Sequence, residues 1–376
     1  MRIINILMIV ALMSFFGCSK NKKSDVFITI DVGLSYPVKE LLLQKFMDIE
    51  YVALETTDEF LCQGHVLDVG ENTILVRNNI QDGNIYVFEK NGKSKTKINR
   101  KGEGNEEYLI IYGAILDENI GEIFVNDIAG RKIIVYDLYG KFKRKFPYSE
   151  GLRYNNIHDF DKENFICDIK VDNQFSDKYL FAIISKKDGC ITNKIQIPYK
   201  QKKSTVLLDD NGMLNSTYLY CPILPFNGCW ILTEASSDTV YVFSPDHNIT
   251  PFMVRIPSIQ SMNPEIFLFP RILTDQYYFL DIVEKGRSFS KTDLVYDKKT
   301  KKLYEYTLYN ADYSNKQRVN LITWGTKNDK ISFWQKIEAN DLFDARKKGL
   351  LKGELKKISE KLDEESNPVI MLVTNK

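Results

Sequence analysis

The chain has 376 residues, of which 44% are hydrophobic, 12% aromatic and 27% charged. That composition is globular and excludes collagen-like, linker-like and fully disordered chains. Lysine plus arginine (51) and aspartate plus glutamate (50) nearly cancel, so no whole-chain field exists to draw in nucleic acid or an anionic membrane.

At the N-terminus, Arg2 supplies a positive start, and Ile3–Phe16 is apolar apart from Asn5 and Ser14. Those 14 residues at about 1.5 Å each reach ~21 Å, short of the ~30 Å hydrocarbon core. A cleaved signal peptide over residues 1–17 is therefore predicted, not a spanning helix. The stretch ends in Phe15-Phe16-Gly17-Cys18 and passes into the polar run Ser19–Ser24. A small residue before a cysteine resembles the lipobox of bacterial lipoproteins, with Phe15 where Leu is usual. The resemblance implies that Cys18 becomes the first mature residue, carries a diacylglycerol and anchors the protein to the membrane, with residues 18–25 as tether. The other reading is an ordinary secretory signal with an incidental cysteine. Lipoproteins sent to the outer surface of Bacteroides-type bacteria carry acidic residues after the cysteine. The basic and neutral residues here point instead to a periplasm-facing protein on the outer or inner membrane.

Five further cysteines follow, Cys62, Cys167, Cys190, Cys221 and Cys229, with no CxxC pair, so neither a zinc ribbon nor a thioredoxin motif is present. Cys221 and Cys229 flank Pro222–Gly228, and a disulfide across a hairpin there is left open. Val26–Val32 reads as a strand, Val38–Phe46 as a short helix or extended arm, and Ile49–Glu55 as another strand.

From residue 60 onward the sequence repeats. Ile85-Tyr-Val-Phe-Glu-Lys-Asn-Gly-Lys93 matches Ile133-Ile-Val-Tyr-Asp-Leu-Tyr-Gly-Lys141 at an offset of 48. Asn72–Val76 matches Gly121–Val125 upstream, while Ser94–Ile98 and Phe142–Phe146 alternate downstream in the period-2 pattern of strands. Fainter copies run through Tyr179–Ile197, Thr239–Ile256 and Leu294–Leu308. A repeat of several strands every 48 to 60 residues is the signature of a β-propeller blade. Five such units fill residues 60–310. A sixth begins at Val319–Trp324, continues through Lys330–Trp334, and is completed by Pro368–Thr374 after a helical insertion. In that insertion Leu351, Leu355, Ile358 and Leu362 share one helical face, Asn340 is the expected N-cap, and Gly349 and Gly353 predict two short helices. The fold expected is all-β: a six-bladed β-propeller over residues 26–376, with a short helical insertion in its last blade and Ile49–Glu55 as the strand that closes the ring.

The run Arg100-Lys-Gly-Glu-Gly-Asn-Glu-Glu-Tyr108 resembles the G-x-G-x-x-E-[YF] stretch between blades of six-bladed β-propeller lipoproteins of Bacteroides-type bacteria, which are NHL-like or TolB-like propellers. Asn367–Val373 is similar to the closing strand of that family. Asn105 stands where the family commonly places Pro. Read physically, Gly102 and Gly104 permit positive φ at a tight turn, Glu107 caps backbone amides and Tyr108 packs between blades. The functional alternative places Arg100, Glu107 and Tyr108 at one mouth of the central channel.

No H-E-x-x-H, G-x-S-x-G, P-loop or dinucleotide fingerprint occurs. The turns Asp209–Gly212 and Asn78–Gly83 do not match a calcium loop. Three histidines occur, His65, His158 and His247; His65 follows Gln63-Gly64 and has two readings, a satisfied structural residue, which is the commoner role of a lone His, and a residue lining an entrance. No catalytic residue, metal ligand or cofactor is assigned. The function expected is a membrane-anchored, monomeric, non-catalytic module that binds a protein, glycan or small ligand, with no nucleic-acid partner. The alternative is a metal-dependent propeller hydrolase or lyase at the central channel, for which Asp68, Asp117, Asp127 and His158 are the candidate ligands.

Overall fold

The computed structural model describes residues 27–171, 181–321 and 331–376; the signal peptide and tether predicted from the sequence and Cys18 lie outside them, as does Trp324. Blade 1 is the antiparallel meander His65–Val69, Thr73–Arg77, Asn84–Glu89 and Ser94–Asn99. Blade 2 repeats it with Gly113–Asp117, Glu122–Asp127, Lys132–Asp137 and Phe142–Pro147. Blades 3, 4 and 5 open with Leu152–Asp159, Ile223–Phe226 and Glu265–Leu273 and also hold four strands in sequence. Blade 6 pairs Phe333–Ile337 with Val369–Asn375, and Val369–Asn375 with Met47–Ala53 from the other end of the chain. The six-bladed propeller expected from the repeats is thus the fold of this protein, closed by the early strand.

The core lies between blades. In the middle strands successive residues are buried on both faces, as in Glu122–Asp127, because each sheet is sandwiched by two neighbours. Leu75 and Val87 of blade 1 pack on Ile123 and Tyr136 of blade 2, and the pattern continues round the ring. It ends where Ile370 and Leu372 of blade 6 meet Ile74 and Val76 of blade 1. That last cluster is what makes the ring closed.

Several expectations change in detail. Ile28–Asp31 and Val38–Leu42 add in parallel to the outer edges of blades 4 and 5, along Ile249–Ile256 and Lys302–Asn310. Val38–Phe46 is thus an extended arm ending in a 3-10 turn at Leu43–Lys45. The insertion forms two helices, Ala339–Lys347 and Gly353–Ser359. Gly349, at φ +67°, ends the first. Asn340 is not the N-cap: Glu338 is, because buried Ile337 and Ala339 carry the strand straight into the helix. The described strand of blade 6 starts at Phe333, three residues after Lys330, and Val319–Trp324 lies partly outside the described residues.

The disulfide left open is absent. Asn227 and Gly228, at φ +50° and +69°, form a two-residue hairpin turn that pairs Cys229 with Phe226. Cys221 falls at the opposite end of that hairpin, and neither cysteine is in a disulfide. Among the described residues no helix is long and apolar enough to cross a membrane.

Candidate ligand-binding site

The meander brings the start of each first strand beside the end of the second. His65 therefore sits opposite Arg77 in blade 1, and Gly113 opposite Asn126 in blade 2. In blade 3 the register slips between Tyr154 and Ile157, so Asn155 and Asn156 bulge from the ladder. These three places meet at one end of the ring around a pocket of about 170 Å³. Its floor is apolar, with Leu67, Ile115, Phe124, Ile157 and Phe165 all buried. Ile80 and Tyr112, 36% and 41% exposed, stand at its rim.

The blade 3 wall is fixed by hydrogen bonds. Asn156 N donates to Asp168 Oδ1 at 2.7 Å, and Asn155 Nδ2 to Asp168 Oδ2 at 3.2 Å. Asn126 Nδ2 donates to the carbonyls of Tyr154 and Asn155, both at 3.0 Å, and its oxygen accepts from Tyr148. Asp168 lies behind the wall, and burial raises its carboxyl above the usual range, against the pull of those donors.

The blade 1 wall is different. The guanidinium of Arg77 is half-buried, and its Nε is buried with no hydrogen-bond partner among the described residues. Burial lowers its pKa, with Asp82 opposing. His65 rests edge-on against Trp334 of blade 6, ring centroids 5.5 Å apart. Burial, then Arg77 and Lys336, push the His65 imidazole down to about 4, so it is neutral near pH 7.

A pH dependence follows with a definite sign. Unfolded His65 takes up its proton near pH ~6.5, folded His65 only near 4. The unfolded chain thus binds more protons between these values, and stability is lost as pH falls through that window. After allowance for partial exposure the loss is about 1–2 kcal/mol. Chemical denaturation at pH 7 and pH 4.5 should show that the His65→Gln protein lacks this component of the decline.

The interblade loop singled out in the sequence joins blade 1 to blade 2 and does not line this pocket. Tyr108 is fully buried; its hydroxyl donates to Gly83 O at 2.8 Å and accepts from Arg100 N at 3.0 Å. Arg100 Nε donates to Gly140 O at 3.1 Å, and Glu107 accepts from Gly104 N at 2.8 Å. Gly102 and Gly104 are not at positive φ. A Cβ at either would press on the Glu107 carboxylate, 1.9 Å from Oε2 at Gly102. Neither glycine serves left-handed backbone, and the atoms a Cβ would meet are the movable end of the Glu107 side chain.

The four candidate metal ligands do not converge. Asp68 accepts from Leu116 N, Asp117 pairs with Lys186, and Asp127 accepts from Leu109 N and Gly130 N. His158 is buried beside Trp230, centroids 5.4 Å apart. Among the described residues no three His, Cys, Asp or Glu side chains are grouped to hold a metal ion. Of the residues lining the pocket, His65 was named from the sequence; Arg77, Tyr112, Asn155 and Asn156 were not. The available signal was a break in the repeat, Arg77 standing where the next copy has Asn126.

Residues 27–374 match the family described as Domain of unknown function (DUF4934), and the chain belongs to that family. No curated protein matches it. A structure named as an exported protein of Bacteroides fragilis NCTC 9343 superposes with a TM-score of 0.60 at 18% identity, covering 90% of this chain and 99% of that one. A DUF4221 family member from Bacteroides vulgatus gives 0.46 at 10% identity, covering 89% and 100%. Virginiamycin B lyase from Staphylococcus aureus gives 0.37 at 11% identity, covering 87% and 99%. The first likeness speaks to the fold alone, and nothing rests on the other two.

Proposed function

We propose that this DUF4934 protein is an extracytoplasmic, lipid-anchored propeller that binds a small ligand without transforming it. The observation that carries the reading is the pocket between blades 1, 2 and 3. It couples a preformed apolar floor to Arg77, whose Nε is buried with no hydrogen-bond partner among the described residues, with His65 and Tyr112 beside it. Buried polar groups are normally satisfied, so unmet ones facing a cavity are what a binding site offers its ligand. A volume of about 170 Å³ suits a small molecule more than a polymer or a protein segment. The location rests on the lipobox-like Gly17-Cys18.

Gly113 lines the pocket, and a Cβ there meets nothing within 4 Å, so Gly113→Phe is expected to plug the site without disturbing the strand. Full-length protein incubated with envelope small-molecule extract should retain a compound that mass spectrometry recovers unchanged, and Gly113→Phe should lose it. Retention unaffected by the plug, or recovery of a converted product, would contradict the reading.

A further inference from the structure

We propose that the ligand of this pocket is a small carboxylate with an apolar body, its carboxylate held by Arg77 and its body lying on Leu67, Ile115 and Phe124. This rests on the pocket being the binding site, and adds the chemical class.

The argument starts from how this protein treats its other arginines. Arg144 makes two 2.8 Å bonds to the Glu122 carboxylate, Arg271 pairs with Asp281, and buried Arg255 donates to Pro257 O and Ile266 O. Arg77 has neither an ion pair nor a side-chain hydrogen bond among the described residues, although its Nε is out of water. Asp82, the acid whose charge acts on it, gives its oxygens to Asn84, at 3.0 Å to N and 3.1 Å to Nδ2. Among the described residues no carboxylate lines the pocket. A half-buried guanidinium whose Nε is out of water and unmet is costly, and its planar fork matches a carboxylate in two parallel bonds.

The neighbours narrow the class. Neutral His65 adds an edge without competing positive charge. Tyr112 offers a hydroxyl at the rim, free of hydrogen bonds among the described residues, for a second polar atom. The apolar floor gives no partner to the remaining oxygens of free phosphate, so the shape favours an organic acid. The cavity is close in size to one of ~150 Å³ that takes up benzene, which makes phenylacetate a fitting probe.

Calorimetric titration of the full chain with phenylacetate, phenylacetamide and inorganic phosphate tests the claim. Phenylacetate should bind, and the amide and phosphate at least tenfold more weakly. Arg77→Met should weaken phenylacetate at least tenfold while raising the melting temperature, since it removes a half-buried guanidinium whose Nε is unpaired. Arg77→Lys, which keeps charge but loses the fork, should fall between. The rise in melting temperature separates lost recognition from lost folding. Equal binding of acid and amide, preference for phosphate, or undiminished binding by Arg77→Met would overturn the carboxylate class. So would no binding of phenylacetate at millimolar concentration. If the compound retained by the native protein is neutral and Gly113→Phe still loses it, the class fails and the site stands. If the plug changes nothing, the site itself fails.

Discussion

Removal of residues 368–376 is expected to leave a chain with no cooperative unfolding transition. Val369–Asn375 is the strand between Phe333–Ile337 and Met47–Ala53, and it pairs with all seven residues of the latter. Val369, Ile370, Met371, Leu372 and Val373 are each no more than 1% exposed. At about 1.5–3 kcal/mol per buried side chain, their loss is of order 10 kcal/mol, as large as the typical net stability of about 5–15 kcal/mol. Three of them serve the interface of blade 6 with blade 5 and two the interface with blade 1, so one deletion opens both seams of the ring. Circular dichroism and calorimetry should find β-rich, aggregating material without a melting peak. A sharp transition near that of the intact chain would mean the ring does not depend on this strand.

Lys186→Met is the second large effect, expected to cost about 3–5 kcal/mol. Lys186 sits in blade 3 with its side chain 5% exposed, 2.8 Å from Asp117 of blade 2 and 2.6 Å from Asp159. Its ammonium also lies over the Phe165 ring, 5.3 Å from the centroid. Burial disfavours the charge, but the two carboxylates outweigh it and hold the lysine protonated above its ordinary range. Removing it strands Asp117, itself 7% exposed, as an unpaired buried anion. Asp117→Asn in the same chain should therefore restore part of the loss, and a double-mutant cycle from urea denaturation measures how much. Strictly additive effects would show that the pair contributes nothing of its own.

What the sequence disclosed followed from local periodicity. Ile85–Lys93 and Ile133–Lys141 declare themselves because each blade must repeat the same alternation and turn to pack against its neighbour. The closing strand was legible for the same reason: a run as apolar as Val369–Val373 needs cover on both faces. Edge additions were not, since parallel pairing of Ile28–Asp31 with residues more than 200 positions away leaves no turn between the partners to read. The disulfide left open at Cys221–Cys229 depended on where the turn falls, and Asn227-Gly228 alone makes it, which sets the two cysteines at opposite ends of the hairpin. In the loop Arg100–Tyr108, Tyr108 is fully buried, and Gly102 and Gly104 are not at the positive φ expected of them. Arg77 looked like any solvated strand end. Its isolation is a tertiary property, created when blades 2 and 6 close over blade 1.

Crystals soaked in 4-bromophenylacetate give the most direct test, because bromine is located by its anomalous scattering. The bromine should lie over Ile115 and Phe124, with both carboxylate oxygens about 3 Å from the Arg77 guanidinium. A bromine peak elsewhere on the ring, or a carboxylate turned away from Arg77, would contradict the site and the chemistry assigned to it.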